Sequence, residues 1–237
     1  MFALNSLRPM SHSLRVLAAL LTYPDMRMRE HLAEMRSLLH EEHAIEPSRL
    51  HELDSLIESL RRANPLDAES AYVELFDRGR STSLHLFEHV HGDSRDRGPA
   101  MIDLCKTYQA AGLFLAPSEL PDYLPAVLEF VSTQPPREAR AFLSEIAHIL
   151  KSIFGALCKR NSAYATILGA LIELAGEKAQ AVEPIADDPL DESWAEPPVF
   201  DGCSVKGQSR PGEPQPIKVV RTRVSGANPT SHTGALS

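Results

Sequence analysis

The sequence predicts an all-α protein: one helical-bundle-like domain followed by a Pro-rich, largely disordered C-terminal tail. Three observations carry that prediction. Apolar residues recur at spacings of three and four from about residue 12 to residue 176, the pattern of helices with one buried face. No convincing period-2 segment, the mark of a half-buried strand, interrupts them. Prolines fall where helices start or stop, at 24, 47, 65, 99, 117, 121 and 135–136, where a missing N–H and a fixed φ do least harm.

The elements follow in order. The first helix holds the run "VLAALL", with Ser11 before it and Pro24 after it. That run is too short to span a membrane, and no small-residue cleavage signal follows it. Met28, Leu32, Met35 and Leu39 then predict one amphipathic helix, and Leu50, Leu53, Ile57 and Leu60 another. Phe142, Ile146, Ile149 and Ile153 predict a long later helix. Tyr164, Ile167, Leu171 and Leu174 predict the last one. Such segments add up to roughly seven to nine helices. A chain of 237 residues suffices for one sizeable core, whereas two equal domains would be unusually small.

The helical domain is read as residues 1–180 and the tail as 181–237. Eight prolines (184, 189, 197, 198, 211, 214, 216 and 229) fall in that tail and prevent regular structure. One island, "PLDESWAEPPVF" at 189–200, contains the chain's single tryptophan and reads as a docking segment. It packs on its own body or on a partner.

Charge and cysteines narrow the function. A net charge of -8 argues against nonspecific nucleic-acid binding, which needs a basic surface, and favours the approach of a basic partner. Cys105, Cys158 and Cys203 are far apart and form no CxxC, so they read as reduced thiols of a cytoplasmic protein. The phosphate-cradling glycine motifs and the G-x-S-x-G nucleophile elbow are absent from the sequence.

One stretch stands out, "FDRGRSTSLHLFEHVHGDSRDRGPAM" at 76–101. Placed on a helix, Ser83–His91 puts Leu84, Leu86, Phe87 and Val90 on a core face. His85, Glu88 and His89 then fall opposite, His91 lies near the core edge, and Gly92 ends the helix. Three readings follow, of which the plainest is a solvated face. His85 and His89, four apart, could share a metal ion with Asp93 or His91 as third ligand, giving a metal-dependent hydrolase. Alternatively the face is an interaction surface, framed by loops whose Arg and Asp residues pair internally (Asp93 or Asp96 with Arg78, Arg80, Arg95 or Arg97) or grip a peptide. Three clustered histidines would make such binding pH-sensitive between roughly pH 5 and 8.

"YVELFDRGRSTSLHLFEHVHGDSRDRGPAMIDL", residues 72–104, closely resembles the signature of the NarJ-type nitrate reductase assembly chaperones. They form part of the redox-enzyme maturation group with the TorD and DmsD types. The resemblance runs from the first helix to about Phe200. It implies an all-helical, non-catalytic, cytoplasmic protein. The implied partner is the alpha (catalytic) subunit of the membrane-bound respiratory nitrate reductase, gripped by its N-terminal segment. The chaperone keeps that subunit competent for molybdenum cofactor insertion and membrane docking, and it helps order iron–sulfur maturation. The cofactor belongs to the client, so the chaperone has none of its own. Delivery proteins for that cofactor are further implied partners, and stable membrane insertion is not expected. The residues matching the signature, and so expected to bind the client or fix the loop, are His85, Glu88, His89, His91, Asp93, Arg95, Asp96 and Arg97. Tyr72, Phe76 and Tyr108 are candidates for apolar walls of the client site or, each taken singly, for ordinary core.

Overall fold

The computed structural model describes residues 9–92, 94–116 and 119–181. The expected tail, with its docking segment and Cys203, lies outside them. Eleven α-helices and one 3-10 turn make up the regular structure of the described residues.

Helix α1 (Ser11–Leu20) buries Leu14, Leu17 and Leu20. Ser11 does not cap it. Instead the His12 and Ser13 amides donate to the Glu42 carboxylate at 3.0 and 2.7 Å, so the cap comes from the end of a helix about thirty residues later. Helix α2 (Met26–Glu30) begins at Asp25, whose side chain accepts the Met28 N–H at 2.7 Å. Helix α3 (Leu32–Glu42) follows at once. The single helix expected over 28–39 is therefore two, broken at His31 where φ is -93° and ψ is 0°. Met28, Leu32 and Leu39 are all buried, so the apolar spacing survives the corner and conceals it.

Helices α4 (Pro47–Arg62) and α5 (Pro65–Phe76) each start on the expected proline, and Asn64 caps α5 by accepting the Leu66 N–H at 3.0 Å. A 3-10 turn (Arg80–Thr82) and the short α6 (Leu86–Val90) lead to α7 (Arg97–Ala110). Then come α8 (Leu124–Ser132), α9 (Pro136–Glu145), α10 (Ala147–Lys159) and α11 (Ala165–Leu174). The second break of an expected helix is at Ile146, where α9 and α10 meet at 64°. These two breaks and the one-turn α6 raise the helix number above the seven to nine expected. Among the described residues no single helix is long and apolar enough to cross a membrane.

The core forms where α1 packs on α8 and α10 packs on α11, with α3, α4 and α9 around them. Leu14, Leu17, Leu128, Leu150, Ile153 and Leu171 are fully buried there. Each such side chain contributes about 1.5–3 kcal/mol by leaving water. An aromatic cluster extends this core toward α5. Tyr72 lies 4.8 Å from Phe76 and Phe76 lies 5.2 Å from Tyr164, centroid to centroid. The Tyr72 hydroxyl donates to the Leu21 carbonyl at 2.7 Å. Burial pushes the hydroxyls of Tyr72 and Tyr108 well up, raises that of Tyr123, and pushes that of Tyr164 to about 12.

Candidate functional site

The signature segment is not one helix. Ser83 and His85 are extended, with ψ of 137° and 105°, and α6 starts only at Leu86. His85 forms an antiparallel bridge with Tyr123. The Leu86 N–H donates to the Asp122 carbonyl at 3.0 Å, and the Leu124 N–H donates to the Leu84 carbonyl at 2.8 Å. These long-range bonds satisfy the backbone outside a helix, which local periodicity cannot reveal. The two-faced helix expected over 83–91 is corrected accordingly. Val90, expected in the core, is 52% exposed, whereas Glu88 and His89, expected in solvent, are half-buried.

Asp122 organises the segment, and sequence reasoning missed it. Its side chain is 0% exposed. The Phe87 N–H donates to its Oδ2 at 3.2 Å, and its Oδ1 lies 3.4 Å from His85 Nδ1. The Arg97 guanidinium stands 3.7 Å from Asp122 and 3.6 Å from Glu88. The hydrogen bond with Asp122 raises the His85 pKa against the opposing effect of burial. The only sequence signal is an acid wedged between Pro121 and the apolar start of α8, in "LPDYLP".

Other motif residues also point inward. His89 Nε2 meets the Ser83 carbonyl at 2.9 Å, and burial lowers its pKa. Arg80 donates twice to the Glu88 carbonyl, at 3.1 and 2.8 Å. Gly92 ends α6 as expected, at φ +51° with its N–H on the Phe87 carbonyl. A Cβ there would also come within 2.5 Å of Arg80 Nη2 and push that guanidinium aside, so the positive φ is the firmer reason for glycine. His91 is half-buried with its ring 5.3 Å from Phe87. Arg95 and Asp96 are exposed, and Asp96 accepts the Ser94 hydroxyl at 3.3 Å. Among the described residues, Arg97 thus turns to Glu88 and Asp122 rather than to a motif aspartate, and Arg78 pairs with Glu74 at 3.0 Å. Asp93 lies outside the described residues.

This geometry does not support the metal reading. His85 is off the helix that carries His89, and each imidazole already has a protein partner. Among the described residues no group of three or more His, Cys, Asp or Glu could hold a metal ion.

Tyr72, Phe76 and Tyr108 are 5%, 5% and 2% exposed and belong to the core. The Tyr108 hydroxyl donates to the Pro121 carbonyl at 2.8 Å, beside Asp122. Tyr72 packs against the exposed Tyr23, and both Tyr72 and Phe76 pack against Tyr164. That ring lines an open, mainly apolar cleft of about 670 Å³ between α4, α5 and the α10–α11 turn, with Leu56, Leu60 and Leu75 on its walls and Asp67 and Glu74 among its lining residues. A cleft of this size suits apolar side chains of a bound peptide.

Comparison with known proteins gives this arrangement its family. The model for the nitrate reductase delta subunit family matches residues 28–168. The chain is 42% identical to the nitrate reductase molybdenum cofactor assembly chaperone NarJ of Escherichia coli K12 over 181 residues, 75% of this chain and 77% of that one. It is 40% identical to the chaperone NarW of the same strain, over 69% of this chain and 68% of that one. A crystal structure of a redox enzyme maturation protein from Archaeoglobus fulgidus shares the fold, with a TM-score of 0.50 and 20% identity over 71% of this chain and 94% of that one. Both E. coli relatives carry the name of an assembly chaperone. The signature, the helical fold and the matched length together place this chain in the nitrate reductase delta subunit family, among the NarJ-type assembly chaperones.

Proposed function

We propose that this protein is a dedicated chaperone that binds the N-terminal segment of a nitrate reductase alpha subunit. It keeps the subunit competent for insertion of the client's molybdenum cofactor and for membrane docking. The observation that carries this reading is 42% identity over three-quarters of both chains with a nitrate reductase molybdenum cofactor assembly chaperone. The apolar cleft beside α5 supports it physically, because an amphipathic client segment can lay anchors at helical spacing into such a groove. The Asp122 network supports a fixing role for the signature: His85, Glu88 and Arg97 hold the loop, while Arg95 and Asp96 remain exposed for contact. A rigid loop loses less entropy on binding. The site of action is the cytoplasm, in keeping with the widely spaced cysteines, of which Cys105 and Cys158 are free thiols.

Co-purification tests the proposal. A tagged alpha subunit made in cells with this chain should retain it, and a subunit lacking its N-terminal segment should lose it. Equal retention by both would show that the segment is not the binding element.

A further inference from the structure

Helix α5 is buried along one stripe only, at Ala68, Tyr72 and Phe76. Its other faces border two clefts. The larger, about 670 Å³, is the groove lined by Ala71, Leu75 and Tyr164. The smaller, about 290 Å³, lies on the opposite flank and is lined by Tyr23, Leu66 and Val73. Glu74 lines both, so it stands on the ridge between them. Leu66 is 74% exposed, an apolar side chain with no core to occupy.

Two features specify what fits there. The ridge is acidic: Asp67 lines the larger cleft, Glu69 the smaller and Glu74 both, against Arg78 on the smaller side and Arg160 on the larger. The Tyr164 hydroxyl, beneath the larger cleft, is buried without a hydrogen-bond partner on a ring that is 8% exposed. A buried donor in that state is relieved by an acceptor brought in by a ligand.

We infer that α5 is a ridge straddled by a basic amphipathic helix, whose apolar residues enter both clefts and whose Lys or Arg meets Glu74 between them, beside or in place of the exposed Arg78 that pairs with it at 3.0 Å. The occupant is the client's N-terminal segment, so the inference rests on the proposed function and specifies its chemistry. A helix crossing α5 reaches from one flank to the other with anchors about two turns, or ~11 Å, apart.

Three exposed positions test this without disturbing the core. Ala71→Phe fills the larger cleft, Leu66→Ser strips the smaller, and Glu74→Lys reverses the ridge charge. Each should weaken calorimetric binding of a synthetic client N-terminal peptide about tenfold or more, with circular dichroism and melting unchanged. Added salt should weaken the wild type more than Glu74→Lys. If the wild type binds no peptide, the proposed function fails. If the wild type binds and Leu66→Ser or Glu74→Lys binds equally well, the straddled ridge is wrong while the proposed function stands.

Discussion

Helices α7 and α8 are neighbours in the chain and opposites in construction. Eight of the nine residues of α8 are buried, whereas α7 buries only Tyr108 of its fourteen. The stability of α8 is spread over a volume of packed side chains. That of α7 rests on one core ring, Tyr108 packed 4.8 Å from Phe130, and on a few polar attachments. Arg97 at its start faces Asp122, and Tyr108 near its end donates to the Pro121 carbonyl. Both attachments land on one dipeptide just ahead of α8. The C-terminal end of the signature, residues 97–104, therefore lies on the helix with few buried side chains, while Tyr72, Phe76, Leu84 and Leu86 anchor its earlier part in the core.

That contrast orders the expected effects of substitution. Leu128→Ala, in α8, should cost about 2–5 kcal/mol and lower the urea midpoint of the whole domain. A smaller effect than from any α7 change would break the contrast. Asp122→Ala should cost about 1–3 kcal/mol, moderated because Arg97 and His85 are partly solvent-screened. Its distinguishing mark is hydrogen exchange: residues 83–110 should lose protection together while α1, α10 and α11 keep theirs. A uniform rise across the domain would show that Asp122 supports the core instead. Tyr108→Phe should cost about 1 kcal/mol, with faster exchange confined to α7.

The smallest effect concerns pH, and its sign differs between two histidines. His85 has a raised pKa, so its contribution is fully present below the unfolded value near 6.5 and is lost as pH rises through the folded value. His89 has a lowered pKa, so its contribution is fully present above about 6.5 and is lost as pH falls through the folded value. Compared with the double variant His85→Gln/His89→Gln, His89→Gln alone should lose stability toward alkaline pH. His85→Gln alone should lose it toward acid. Stability curves of the two single variants sloping the same way would contradict these environments.

What could be read from sequence was whatever is local. Helical spacing located α4 and α11, and prolines marked the starts of α4, α5 and α9. The signature identified the family. What escaped were features decided across the fold. The breaks at His31 and Ile146 keep the apolar spacing intact, because both flanking helices face the same core. His85 looked helical from its neighbours but is drawn straight by residues 122–124, some 37 positions away. Asp122 escaped too, since none of its side-chain partners is near it in the chain. Tyr72, Phe76 and Tyr108 were recognised as large apolar groups, yet only packing shows them to be interior.

The buried tyrosines have an optical consequence. Tyr72, Tyr108, Tyr123 and Tyr164 are four of the five tyrosines in the chain, and all resist ionisation in place. Tyrosinate absorbance near 295 nm should therefore stay mostly silent through the alkaline range in which exposed phenols titrate. It should then appear in one step as the interior opens. The aromatic cluster under α5 thus gives the protein a built-in colorimetric signal of its own integrity, independent of any tag or bound client.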